Sequence, residues 1–294
     1  MEHPRLSIVV VNFNRRETLR HCLASIPPAL PSEAAQLFVV DNGSRDGSAA
    51  MVRTSFPSAI LIENQENLGF SRAVNQALRQ ACGDYFLCLN NDARLFPGTL
   101  EPLLTFFEEH ADVGIVGGKI LNPDGTLQLS ARSFPTFASA LFNRTSLLTR
   151  LFPNNPYSRR YLLSHWDHTK IREVDWVSGS FLTVRRSVCE TVGFLDERFL
   201  LFCEDVDWCL RTKQGGWKVI YFPDAVAMHA MEAPTNPFRA TFAHHQSMFR
   251  FYRKHWRRSP FLDPVVAFGI GLRTLVAFGG VLLSTGRNGH RPRV

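Results

Sequence analysis

The chain reads as an α/β protein built around a parallel sheet, on three observations. Short β-branched runs at 6–11, 37–40 and 59–62 are separated by stretches with helical apolar spacing. Strands alternating with helices of that length make βαβ units. A further apolar run, 85–89, stops abruptly on Asn90-Asn91-Asp92. That places two amides and a carboxylate at the carboxyl edge of the sheet, where open α/β sheets bind ligands.

The remaining elements follow in order. Residues 16–25, opened by Asn14, and 48–55, opened by Asp46 and Gly47, are expected helices, as is 69–82, ended by Gly83. A helix at 99–110 follows the Pro97-Gly98 turn, then a strand at 113–117 and a turn at 122–125. Residues 130–172 are irregular and rich in Arg, Phe, Pro and Asn, a long excursion of the functional kind. A strand at 174–184 and a short helix to Gly193 come next. The helix at 205–213 carries acids in its first turn and Arg211 and Lys213 in its last, as the helix dipole favours. A strand at 217–222 closes the regular part.

With 294 residues, 45% hydrophobic and 20% charged, the chain can bury a sizeable core. Its net charge of +7 is unevenly placed: residues 244–294 hold nine Lys/Arg against one acid, leaving 1–243 near neutral. That distribution and the lack of a nucleic-acid motif argue against a nucleic-acid binder. We therefore divide the chain into an α/β domain, 1–243, and a basic, apolar helical appendage, 244–294. In the appendage, 244–260 is a basic aromatic helix, with His244 and His245 expected to face solvent or lipid. The run 261–283 is long enough to span a bilayer, but Arg273 and four glycines interrupt it. An interfacial segment beside an anionic membrane surface fits better. The six cysteines form no CxxC pair and are expected as reduced thiols. No basic n-region opens the chain, so the expected location is cytoplasmic, peripheral on the inner face of the membrane.

The chemistry follows from the acids. Asp92 at a strand end can hold a hard divalent cation, and that cation a diphosphate. Glu204-Asp205-Val206-Asp207 supplies a second acidic cluster and His229 a possible imidazole ligand. A metal-holding carboxylate and a separate acid suit group transfer from a nucleoside diphosphate.

Six motifs in order carry a resemblance: VVVNFNR (9–15), VDNGSRDGS (40–48), ENLGFSRAVN (66–75), LNND (89–92), SGSFLTVRR (178–186) and FCEDVDWCLR (202–211). Together they resemble the inverting glycosyltransferases of family 2, with the GT-A fold, and within them the bacterial rhamnosyltransferase-like branch. The excursion and the tail carry no comparably specific motif. The resemblance implies a nucleotide pocket made by Val11, Asn12, Asp41, Gly43, Asn67, Gly69, Arg72 and Asn91. In it Asp41 would accept the N3–H of a pyrimidine base and Arg72 would meet the base or phosphates. It implies Asp92 and His229 as ligands of Mn²⁺ or Mg²⁺, Asp205 as general base and Glu204 as its neighbour orienting the acceptor or adjusting the base. Trp176, Gly179 and Trp208 become acceptor-side candidates, with core packing the competing role for the tryptophans. The implied donor is dTDP-rhamnose, or otherwise a UDP-hexose, and the acceptor a lipid-linked or polysaccharide precursor. The competing reading is a non-catalytic sugar-nucleotide-binding component of a polysaccharide assembly complex. A nucleotidyltransferase is disfavoured, because no Gly-rich signature opens the first loop.

Overall fold

The computed structural model describes residues 3–30, 35–136, 139, 151–152, 154–234 and 236–288. Strands β1 (Leu6–Asn12), β2 (Ala35–Asp41), β3 (Ile60–Glu63) and β4 (Tyr85–Asn90) lie parallel in the order β3-β2-β1-β4. Helices α1 (Arg16–Ala29), α2 (Ser48–Ser55) and α3 (Phe70–Leu78) connect them. Alternate side chains of β1 feed two cores, because successive residues of a strand face opposite sides of the sheet. Leu6, Ile8 and Val10 pack with Leu19 and Leu23 of α1, whereas Val9 packs with Ala73, Val74 and Ala77 of α3. The start of α1 differs from expectation. Asp46, not Asn14, receives the Arg16 N–H, at 2.8 Å, while its other oxygen receives the Ser48 N–H at 3.1 Å. One carboxylate thus starts two helices.

The second half is mixed. It comprises β5 (Ala93–Leu95), α4 (Leu100–Glu109), β6 (Val113–Leu121), β7 (Leu127–Gln128), β8 (Ala131–Arg132), α5 (Pro156–Tyr161), β9 (Arg172–Glu173), β10 (Trp176–Val177) and β11 (Phe181–Arg185). Helices α6 (Arg186–Val192) and α7 (Glu204–Gln214) and strand β12 (Lys218–His229) complete it. The sheet continues β4-β11-β6-β12-β5, with β11 antiparallel to both neighbours. The strand expected at 174–184 is therefore two: β10 pairs with β8 in a small separate sheet, and β11 enters the main one. The turn between them, 178–180, becomes part of the site. Strand β12 runs past 222, across an irregularity between Phe222 and Val226 that accommodates Pro223, and on to His229. Part of the 130–172 excursion, 140–150, lies outside the described residues.

The C-terminal part consists of α8 (Pro237–Phe251), a π-type turn (Tyr252–Trp256), a 3-10 turn (Pro260–Leu262) and α9 (Asp263–Asn288). Much of its basic aromatic segment is docked on the body. Phe251 and Tyr252 are buried, and Lys254 and His255 reach the fully buried Asp207 of α7 at 2.6 and 2.7 Å. Arg211 pairs with the same carboxylate at 2.8 Å, so Asp207 is held by three basic side chains. His245 does not face solvent or lipid: it is buried, with Nδ1 3.0 Å from the Thr274 hydroxyl of α9. All six cysteines are free thiols. Burial pushes the Cys88 thiol up to about 12.

Candidate active site

The carboxyl ends of β1, β2 and β4 converge on a polar network. The Asn12 side chain, fully buried, donates to Asp41 Oδ2 and Ser44 Oγ, each at 3.2 Å, and accepts from the Asn91 amide at 2.8 Å. Asp41 Oδ1 accepts the Ser44 N–H at 2.8 Å. Asn12 therefore ties Asp41 of one strand end to Asn91 of another, and Val11 precedes it, half-buried. Asn42 extends the network to the 64–69 loop, donating to Asn67 Oδ1 at 3.1 Å and accepting the Leu68 N–H at 3.1 Å. Gly43 and Gly69 both have positive φ, and each allows one loop to approach another. A side chain on Gly43 would meet the Glu66 backbone at 2.9 Å; one on Gly69 would meet the Leu200 carbonyl at 2.8 Å. At Gly43 the close approach is to the Glu66 backbone. Arg72 lies 3.5 Å from Glu197 and is largely exposed.

Strand register creates the second group. His229 stands opposite Ala93 in the β12–β5 pairing, so the imidazole meets Asp92. Asp92 Oδ1 and His229 Nε2 are 3.0 Å apart, each side chain 12% exposed. Gln128 donates its amide to Asn122 at 2.9 Å, leaving its oxygen to accept the His229 Nδ1–H at 2.8 Å. The network thus puts a proton on Nδ1, while Nε2 faces Asp92 Oδ1 and lies 3.2 Å from the Asn90 amide. At that distance Nε2 and Oδ1 share either a proton, which makes the imidazole a cation, or a metal ion. A second partner on Nδ1 is also how metal-binding histidines are oriented. Burial opposes ionisation of Asp92, but the His229 hydrogen bond and charge and the Glu232 N–H overcome it and hold the carboxyl below its usual range. No third carboxylate, thiol or imidazole joins the pair among the described residues. An ion here would take its other ligands from water or a nucleotide diphosphate.

The third group opens α7. Phe202 and Cys203 both adopt φ +67, a left-handed conformation costing a non-glycine residue about 1–3 kcal/mol. Asp205 Oδ2 accepts the Gly179 N–H at 3.0 Å and Oδ1 the Val206 N–H at 2.8 Å. Burial pushes the Asp205 carboxyl up, against those two N–H groups and the charge of Arg132. Glu204 is pushed up further, by burial and then by the charge of Asp205, and its Oε2 has no hydrogen-bond partner among the described residues. The pair therefore favours a neutral Glu204 beside an ionised Asp205.

Arg132 lies over the Trp176 ring at 5.1 Å and the Tyr161 ring at 5.9 Å, and its charge reaches Asp205. Trp176 is nearly buried, its indole N–H donating to the Ser133 carbonyl at 2.9 Å. Gly179 acts on Asp205 through its backbone. Trp208 cannot meet an acceptor: it is enclosed in the core, its N–H satisfied by the Gly193 carbonyl at 3.0 Å. Ser44, Gln128, Arg132 and Tyr161 escaped the sequence reading. Of these, only Ser44 lay within a motif; Gln128 and the others sit in or beside irregular stretches that give no periodic signal.

A Rossmann-like half-sheet joined through an antiparallel strand to a second half, with acidic residues at the strand ends and at α7, defines a GT-A glycosyltransferase. The chain belongs to Glycosyl transferase family 2, whose sequence profile matches residues 7–190. It is 31% identical to N-acetylglucosaminyl-diphospho-decaprenol L-rhamnosyltransferase of Mycobacterium tuberculosis, over 87% of each chain. It is 24% identical to the low-salt glycan biosynthesis hexosyltransferase Agl10 of Haloferax volcanii, over 81% of this chain and 71% of that one. Among solved structures, the mannosyltransferase PcManGT of Pyrobaculum calidifontis, in complex with GDP-Man and Mn²⁺, superposes with a TM-score of 0.59 at 19% identity. That match covers 100% of this chain and 77% of the other. GalNAc-T7 with UDP, GalNAc and Mn²⁺ gives 0.63 at 13% identity, covering 87% and 48%. The fold is shared with both.

Proposed function

We propose that this enzyme transfers a sugar, with inversion, from a nucleoside-diphosphate sugar to a hydroxyl of a lipid-linked acceptor, with rhamnose from dTDP-rhamnose the first choice and a UDP-hexose the second. The Asp92–His229 pair, a carboxylate and an imidazole 3.0 Å apart with the ring anchored from behind by Gln128, carries the reading. These two residues would hold Mn²⁺ or Mg²⁺, the imidazole favouring Mn²⁺. When bound, such an ion supplies positive charge against the leaving diphosphate. Asp41, fixed by Asn12 and Ser44, keeps lone pairs for a base N–H. Arg72 is placed on the first turn of α3 and would exchange Glu197 for donor phosphate. Asp205, aimed by the Gly179 N–H, takes the proton of the attacking hydroxyl. Glu204 stays neutral beside it, and burial is what keeps Asp205 basic.

The M. tuberculosis relative, by its name, acts on a diphospho-decaprenol carrier. A lipid acceptor also suits α9. Pro260–Leu282 has a mean hydropathy of 2.0 and exposes Phe261, Val265, Phe268, Leu272, Leu275 and Val276. Such a face would settle into the acyl boundary of an anionic membrane. The test is release of nucleoside diphosphate from dTDP-rhamnose, UDP-glucose and GDP-mannose by the full chain in detergent, with Mn²⁺, Mg²⁺ or EDTA. Metal-dependent turnover, increased by an N-acetylglucosaminyl diphospho-prenol, is expected. Tight binding without turnover of any donor would favour the non-catalytic sugar-nucleotide component.

A further inference from the structure

Helix α9 is amphipathic in reverse. Its outer face is apolar and exposed, while Arg273 and Thr274 lie on the half-buried side that faces the body. Arg273 is the only charged residue between 264 and 282. A cation amid so apolar a stretch is costly unless it faces the protein interior or a ligand, and where it occurs it marks a functional site.

The surroundings of Arg273 lead to the catalytic end of α7. It lies within electrostatic reach of Cys203, which directly precedes Glu204 and Asp205, and of Tyr161. Arg132 is 5.9 Å from the Tyr161 ring, and its charge acts on Asp205. Tyr161 thus interacts electrostatically with both Arg132 and Arg273, which links the surroundings of the base to the inner face of the apolar helix. On the other side stand two imidazoles. The His244 ring is 4.9 Å from Phe202 and 5.6 Å from the His245 ring, and His245 Nδ1 is 3.0 Å from Thr274 Oγ1. Burial, with the charge of Arg273, pushes both imidazoles down to about 4, so both are neutral near pH 7. Neutral imidazoles beside a guanidinium give a site of hydrogen bonds around a single positive fork, which suits phosphate oxygens.

We propose that Arg273, with His244 and His245 beside it, binds the diphosphate of the lipid-linked acceptor, whose hydrocarbon chain lies along the apolar outer face of α9 and whose sugar hydroxyl reaches Asp205. This rests on the lipid-acceptor reading above and adds to it the residues that would recognise the carrier. In this arrangement α9 selects substrate as well as anchoring the enzyme.

The test is binding of farnesyl diphosphate to the full chain in detergent, compared with farnesol, inorganic diphosphate and phosphatidylglycerol vesicles. Arg273→Gln is expected to weaken farnesyl diphosphate at least tenfold and to leave farnesol and dTDP-rhamnose affinity unchanged. Arg273→Lys, which keeps the charge and loses the fork, should fall between. Unchanged farnesyl diphosphate affinity would overturn the proposal, and so would an equal loss for farnesol, the mark of a structural role. Inorganic diphosphate competing as well as the lipid would make this a free-diphosphate site and overturn it too. Arg273 dependence confined to phosphatidylglycerol vesicles would reduce the residue to a headgroup anchor. A wild type that binds farnesyl diphosphate through Arg273 but never consumes a sugar nucleotide would strike the transferase reading and leave this site standing.

Discussion

Asp92 and Asp205 are both removed from water, yet their carboxyls are driven in opposite directions. Burial raises both. Asp92 has an imidazole at 3.0 Å and a backbone N–H, which together outweigh burial. Asp205 has only backbone N–H groups and a cation acting at a distance, and burial wins. The difference teaches that partners, more than depth, set the charge state: an ionised carboxylate at the proposed cation site, a more basic one at the proposed base. Asp207 makes the same point two residues further on. It is the most buried of the three, and Arg211, Lys254 and His255 keep it ionised.

The largest expected effect is on Asp205. Asp205→Asn retains the shape and can still meet the Gly179 N–H through its amide oxygen, but it cannot accept a proton. Transfer should fall about 10²–10⁴-fold, the usual contribution of a general base. Donor affinity and melting temperature should hold. Near-normal turnover would remove Asp205 as base and shift the role to Glu204.

The second effect separates Asp207 from Asp205. Cutting the chain after Ala243 removes Lys254 and His255 from Asp207. Leaving a buried charge without its partners costs about 3–5 kcal/mol. That shortened chain should unfold at much lower urea, whereas one ending at Ser259 should fold, bind donor and lose its affinity for anionic liposomes. If the two truncations prove equally stable, Lys254 and His255 contribute little, and the boundary expected at 243/244 from charge composition is the better one.

That boundary shows what the sequence could and could not convey. The strands β1, β2 and β4, the Asn-Asn-Asp end and the acid helix were legible because each is a local pattern. The charge excess of 244–294 was equally legible, but where each cation goes was not. Lys254 and Arg258 look alike in sequence; one reaches Asp207 and the other is exposed. His229 was placed at the site by resemblance, whereas the register bringing it opposite Ala93 is a long-range property of β12 and β5. Gln128 and Arg132 depend on two-residue strands whose pairing leaves no periodic trace. Trp208 misled because an aromatic beside an acidic motif serves a sugar face or a core equally well.

The third effect tests the Asp92 side. Gln128→Leu removes the group that fixes the Nδ1 proton of His229 and leaves both proposed ligands in place. Loss of such an orienting partner typically weakens metal binding about 10–100-fold. The Mn²⁺ concentration needed for half-maximal donor binding should rise accordingly, with turnover at saturating Mn²⁺ largely retained. An unchanged requirement would mean that His229 is held by Asn90 and Asp92 alone.

The smallest effect is a change of slope with pH, and it isolates the acid pair. The folded state holds the Glu204 proton more tightly than the unfolded chain does, since burial and then the charge of Asp205 raise its carboxyl. The stability linked to it is fully present below the unfolded value and is lost as pH rises toward the folded one. Asp92 acts in the opposite sense, its contribution lost as pH falls through its depressed value, but it is common to wild type and Glu204→Gln and cancels in their difference. Glutamine cannot ionise. From about pH 4, where an unfolded glutamate begins to lose its proton, wild type should therefore lose stability relative to Glu204→Gln, and go on losing it until Glu204 ionises in the folded state. Urea unfolding of both proteins between pH 4 and 8 reads this directly. Parallel curves would mean that Glu204 titrates alike folded and unfolded, so that it places no neutral acid beside Asp205.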